Sequence, residues 1–184
     1  RHLQKTMERG MPRIICILRN PKDTLVSMFN FYRMYKVLGN FPGTWHDFFN
    51  MAMKKKVVYG SWFDHTKGWY NLRSHPKVIF LHFEDMKENP EIAVRKLGKF
   101  FDQTLTDSEV LTICQMTDFQ TMKASSKTSM TDIPGFNNSI SQFLRKGEVA
   151  DWKNFFTVAQ NEYFDSLFSQ EMSDCDLNIR FEMK

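Results

Sequence analysis

Residues 13–23 read RIICILRNPKD. Arg13–Leu18 is a short, continuous apolar run rich in β-branched residues, the pattern of a buried strand. Arg19 follows, and then Asn20-Pro21-Lys22-Asp23: a helix-capping residue, a proline suited to the first helical position, and an acid in the first turn. A strand that passes directly into a capped helix is the repeating unit of an α/β sheet. The same grammar returns downstream, where Val78–Phe83 (VIFLHF) reads as a second strand and Asn89-Pro90-Glu91 as a second capped start. The long crossover between the two strands calls for parallel pairing. Two strands make a poor sheet, so further strands are expected upstream, and the chain is read as a piece of a longer protein.

The remaining elements follow from local signals. The helix opened at Pro21 is predicted to run to about Lys36, where Gly39, Pro42 and Gly43 interrupt it. A helix is predicted over Trp45–Met53, with Lys54-Lys55-Lys56 suiting its negative end. Others are predicted from Ser61 to Ser74, from Pro90 to Phe101, and from Thr106, with Glu109 completing a capping box, to about Met116. Ala124–Pro134 (ASSKTSMTDIP) is polar and short-chained, the composition of a mobile loop. A last helix is predicted from Thr157 to about Met172. No internal repeat and no linker divides the chain, so residues 1–184 read as one domain.

Composition narrows the function classes. The 184 residues are 42% hydrophobic, with 18 Phe and 12 Met, which describes a globular chain with a thick core and room for an apolar pocket. The formal charge of +4 suits a small anionic ligand. It is too mild, and its cations too scattered, for a nucleic-acid-binding module. Cys16, Cys114 and Cys175 are an odd count without metal-ligand spacing, which suggests a reducing, cytoplasmic setting and no metal. Asn137-Asn138-Ser139 is a formal glycosylation sequon, unused in such a compartment. The apolar runs are far too short to span a membrane.

Two places carry phosphate-binding chemistry. Arg19 stands at the end of a strand and beside a helix N-terminus, the usual ligand crevice of an open α/β sheet. Ser27, two turns into the helix, can face back toward it. Far downstream, Arg145-Lys146-Gly147 combines a planar fork of donors, a mobile point charge and a residue that lets the backbone approach an anion. By residue type alone, each could equally be a solvated surface cation.

Three segments in order resolve that ambiguity by resemblance. LRNPKDTLVSMFNFY, RKG followed by DWKN, and Lys153-x-x-x-Thr157-Val158-x-x-x-Glu162 are similar to the signatures of the cytosolic sulfotransferases. GTWHDFF, YGSWFDH and FEDMKENP resemble further family segments, so the likeness covers Ile14 to Glu182 and matches the latter part of such an enzyme. It implies a P-loop-NTPase-like parallel sheet flanked by helices, here partial and lacking the N-terminal strands. The implied activity is transfer of a sulfuryl group from 3′-phosphoadenosine 5′-phosphosulfate (PAPS) to a hydroxyl or amine of a small, largely apolar acceptor. The resemblance assigns Arg19, Ser27, Arg145, Lys146 and Gly147 to the 3′-phosphate. It assigns Phe83, Thr117 and Phe119 to the adenine, and His2, in Arg1-His2-Leu3, to the general base. It also implies a homodimer through Lys153, Thr157, Val158 and Glu162.

The chain departs from the family at three points. Phe83 replaces a common Tyr. Asp118 stands where a Thr-Ser-Phe motif has Ser, putting an acid near an anionic ligand. Ala150 replaces the second glycine of RKG-x-x-G-D-W-K, a costly change if that position needs a positive φ. The family's glycine-rich phosphosulfate loop and its lysine do not occur in these residues, so the chain alone is expected to be inactive. The alternative is a truncated, non-catalytic fragment that binds the 3′-phosphoadenosine moiety or dimerises.

Overall fold

Ile14–Leu18 forms strand β1, and Asn20 caps helix α1 (Pro21–Met34) by accepting the Asp23 amide at 2.8 Å. These features belong to a computed structural model that describes residues 12–130 and 133–183. Val78–His82 forms β2, paired parallel to β1 in the register Ile14↔Val78 to Leu18↔His82. Among the described residues the sheet has these two strands. The α/β class and parallel sense agree with the sequence.

Between the strands lie a short 3-10 turn (Lys36–Leu38), α2 (Trp45–Met53) and α3 (Trp62–Tyr70). After β2 come α4 (Phe83–Glu88), α5 (Pro90–Phe100), α6 (Asp107–Met116), α7 (Phe119–Ala124) and α8 (Ser126–Ser129). A second 3-10 turn (Asp151–Asn154) precedes α9 (Val158–Glu171). The Thr106–Glu109 capping box forms as read from sequence. The first helix stops two residues short of expectation, because Tyr35 turns extended and bridges Phe136. Part of the segment read as a loop is helical, in α8.

The core lies between α1, α2, α3 and α9. Phe29, Tyr32, Phe48, Phe49, Phe63 and Phe164 are buried there, and Phe29 meets Trp45 and Phe48 at 5.6 Å between ring centroids. Such aromatic clusters contribute through buried area and edge-to-face contact. Trp45 donates its indole N–H to Gln160 of α9 at 3.0 Å, so the ring is satisfied as well as packed. The C-terminal segment closes over α4: Arg180 pairs with Asp85 and Glu88 at 2.6 Å each.

Ala150 adopts φ +68°, ψ +18°, the left-handed region that disfavours a Cβ. Ala150→Gly is therefore expected to stabilise the chain by roughly 1 kcal/mol. For a domain of this size that corresponds to a rise in melting temperature of about 2–4 °C. A calorimetric scan of both chains checks it, and a lower melting temperature for the glycine variant would count against a left-handed Ala150.

Candidate functional site

The strand–helix junction positions Arg19. β1 delivers it to the sheet's C-terminal edge, and the α1 cap fixes the backbone immediately after it. Its guanidinium lies 4.5 Å from the centroid of the Phe83 ring, donates Nη2 to the Glu148 carbonyl at 3.0 Å, and stands 3.8 Å from Asp23. Its Nε is buried and has no hydrogen-bond partner among the described residues. Burial pushes the guanidinium pKa down; Asp23 and Glu84 push it up, and Arg145 pushes it down again. That last influence is a repulsion between like charges, which an anion near both would offset.

Ser27 is exposed on α1 and lines, with Arg19, a cavity of about 570 Å³ along β1, whose other walls include Thr24, Phe31, Trp62 and His65. A smaller apolar cavity of about 300 Å³ shares Thr24, Met28, Trp62 and His65 with it and reaches Phe63 and Phe164. The sequence placed Ser27 on the face looking back toward the strand, and it shares that cavity with Arg19.

The Arg145-Lys146-Gly147 turn comes to the same place from the far end of the chain. Arg145 and Lys146 both pair with the buried carboxylate of Asp151, which also accepts Asn154 Nδ2 at 2.8 Å. Burial alone would raise the Asp151 pKa, but the hydrogen bonds from Lys146, Arg145 and Asn154 together hold it below the usual carboxylate range. The two cations are thus already partnered, by a carboxylate presenting two oxygens as a phosphate would. Gly147 has φ +67°, and a Cβ placed on it would come within 2.7 Å of three Phe119 ring carbons, a clash. Glycine is required there for conformation and for space.

The remaining predicted residues group less tightly. Phe83 begins α4 rather than ending β2, and one face of its ring carries the Arg19 guanidinium. Phe119 opens α7 and packs on Gly147, with Lys87 and Lys123 ammoniums 5.8 and 5.9 Å from its centroid. Thr117 is exposed and donates its hydroxyl to the Ile113 carbonyl at 2.7 Å. Asp118, the unfavourable acid of the sequence, caps α7 by accepting Gln120 N at 2.9 Å, so its charge is spent on the helix N-terminus. His2 lies outside the described residues. Within the chain Lys153 pairs with Glu182 at 2.8 Å, Thr157 caps α9 in a box with Gln160, and Val158 is 76% exposed.

Sequence reasoning read Asn20 as a helix cap, which it is, and passed over the wider part that four buried groups play in organising this region. Asn20, Asp23, Glu84 and Lys22 are each at most 3% exposed. Glu84 accepts the Asn20 amide at 2.9 Å and its side chain at 3.1 Å, tying the end of β2 to the end of β1. Lys22 is caged by the Trp152 and Phe181 rings, 4.4 and 4.9 Å away, and pairs with Asp165. The available signal was a charged pair at a helix start immediately after an apolar strand. Asp23 was read only as a first-turn acid.

The residues suit a phosphate monoester: an unspent buried donor on Arg19, a loop tied to Arg19 through the Glu148 carbonyl that carries two further cations, and a glycine turn. Among the described residues no His, Cys, Asp and Glu group could hold a metal ion, and no helix is long and apolar enough to cross a membrane. All three cysteines are free thiols.

Comparison with known proteins identifies the family. The family model described as the sulfotransferase domain matches residues 1–176. Sulfotransferase 1C2 of Rattus norvegicus is 42% identical over 173 residues, 93% of this chain and 58% of the relative. Sulfotransferase 1A1 of the same species is 43% identical over 173 residues, 93% of this chain and 59% of the relative. The chain therefore spans somewhat under three fifths of these relatives' lengths. The crystal structure of mouse sulfotransferase SULT7A1 complexed with PAP matches with a TM-score of 0.81 at 35% identity, over 94% of this chain and 62% of that one. Retinol dehydratase in complex with androsterone and inactive cofactor PAP matches with a TM-score of 0.87 over 94% of this chain and 50% of that one; at 21% identity it shows the shared fold alone. With a family model spanning nearly the whole chain and a candidate anion site assembled from the residues that carry the likeness, the chain belongs to the sulfotransferase family, as the resemblance to its cytosolic members implied.

Proposed function

We propose that residues 1–184 are the latter part of a single sulfotransferase domain whose co-substrate is PAPS, acting in the cytoplasm on a small, largely apolar acceptor with a hydroxyl or amine. The observation that carries this reading is the meeting of Arg19 with the turn bearing Arg145, Lys146 and Gly147, on segments more than a hundred residues apart. The PAP-bound state of the mouse relative at 35% identity supports the same donor. The apolar cavity beside the Arg19 cavity supports the acceptor class.

In this reading Arg19, Ser27, Arg145 and Lys146 hold the 3′-phosphate, and the Gly147 turn lets the backbone approach it. Phe83, Thr117 and Phe119 lie toward the adenine. The acceptor oxygen or nitrogen attacks sulfur, the bond from sulfur to the 5′-phosphate oxygen breaks, and the acceptor proton passes to His2. The phosphate grip orients the donor for in-line attack, a contribution of geometry rather than of bonds made to sulfur. Lys153, Thr157, Val158 and Glu162 form a small two-fold contact, in which Lys153 exchanges Glu182 for the partner's acid.

A thermal melt with and without 3′-phosphoadenosine 5′-phosphate tests the donor site. At a hundredfold excess over Kd, binding to the native state alone adds about 2.7 kcal/mol, and the melting temperature is expected to rise by several degrees. A cooperative melt that the nucleotide leaves unmoved would remove the donor site from this chain.

A further inference from the structure

Asp23 sits in the first turn of α1 and is 1% exposed. Both its carboxylate oxygens are engaged. Oδ2 accepts the Ala150 amide at 2.8 Å and Asn20 Nδ2 at 2.9 Å, and Oδ1 accepts the Trp152 amide at 2.8 Å. The two amides flank Asp151, the residue that holds Arg145 and Lys146. One buried carboxylate therefore grips the backbone on either side of the residue that gathers the two cations. The gripped turn includes Ala150 in its left-handed conformation, which an alanine does not adopt unaided. Arg19 adds a tie to the same loop through the Glu148 carbonyl.

We propose that Asp23 is a positioning residue of the anion site, a buried clamp that seats the 145–152 loop at the end of β1 so that Arg19, Arg145 and Lys146 converge on one phosphate. This rests on the donor-site reading above. Asp23 does not touch the ligand; an exposed carboxylate there would repel it, and these oxygens are spent on N–H groups. The site needs an acceptor without donors. Two backbone amides and the Asn20 amide group all donate to Asp23, and an asparagine would turn its own NH₂ toward one of them.

The test compares 3′-phosphoadenosine 5′-phosphate with adenosine 5′-monophosphate, which lacks the 3′-phosphate, by titration calorimetry on the 184-residue chain and its Asp23→Asn variant. The expected result is a loss of about tenfold or more for the bisphosphate, with the monophosphate within about twofold of wild type. An unchanged ratio of the two affinities, even with a lower melting temperature, would make Asp23 a structural residue only and overturn the proposal. A second measurement needs no variant: in the nucleotide-free chain the Ala150 and Trp152 amides should be protected from hydrogen exchange. Exchange at the rate of open loop amides would overturn the clamp. If the wild-type chain fails to distinguish the two nucleotides, the donor site itself falls and this inference with it. If it distinguishes them and Asp23→Asn does too, only the inference falls.

Discussion

Replacing Arg145 with alanine is expected to weaken binding of 3′-phosphoadenosine 5′-phosphate tenfold or more. Hydrogen bonds to charged groups contribute about 1.5–3 kcal/mol each, and every 1.4 kcal/mol is a factor of ten in Kd. The loss should not be confounded by unfolding, because Asp151 keeps Lys146 and Asn154 when Arg145 is removed. Arg145→Lys should recover part of the affinity, since it restores the charge but not the two-pronged fork. Titration calorimetry on the three chains decides the matter. Equal affinities would detach the RKG turn from the phosphate and leave Arg19 and Ser27 without a partner across the site.

Gly147→Ala is expected to do more damage than its single methyl suggests. The backbone at Gly147 is left-handed, φ +67°, and the added carbon would clash with the Phe119 ring, within 2.7 Å of three of its carbons. Left-handed backbone at a residue with a Cβ costs about 1–2 kcal/mol, and forcing a group into a packed site costs about 1–3 kcal/mol more. Phe119 opens a six-residue helix, so the cheapest relief is for α7 and the turn to part. Both a lower melting temperature and weaker nucleotide binding should follow, read by a melt and a titration. A companion change, Phe119→Ala, makes room for the methyl. If Gly147→Ala remained as damaging in that background, the clash would not be the cause.

How much of this was visible beforehand depends on where each signal resides. β1, the Asn20–Pro21 start and the Thr106–Glu109 box were legible because a cap and its partner lie within four residues of each other. Helix α2 came out with the bounds expected, Trp45–Met53. Helix α4 was missed because it begins directly after a strand, with His82 offering no capping bond. Asn89 carried a capping signal and makes no such bond; Pro90 alone opens α5. The cations of the site were legible through the resemblance, but the acids that organise them were not. Glu84 and Asp23 find partners 64 to 129 residues away, and no local pattern reveals that. The cost of Ala150 was foreseen conditionally, and its φ of +68° meets the condition. Asp118 ran the other way: it looked hostile to an anion, and it is occupied with capping α7.

The carboxylate of Asp151 gives the cationic turn a threshold. Any anion that reaches Arg145 and Lys146 competes for their charge with a partner that is covalently tethered and already stripped of water. Chloride or a simple carboxylate brings one charge and offers no better geometry, so it gains little by the exchange. A phosphate monoester brings close to two charges and three acceptor oxygens. Selectivity among the ions of cell water can then arise from competition with a resident group, without any feature that recognises phosphorus itself.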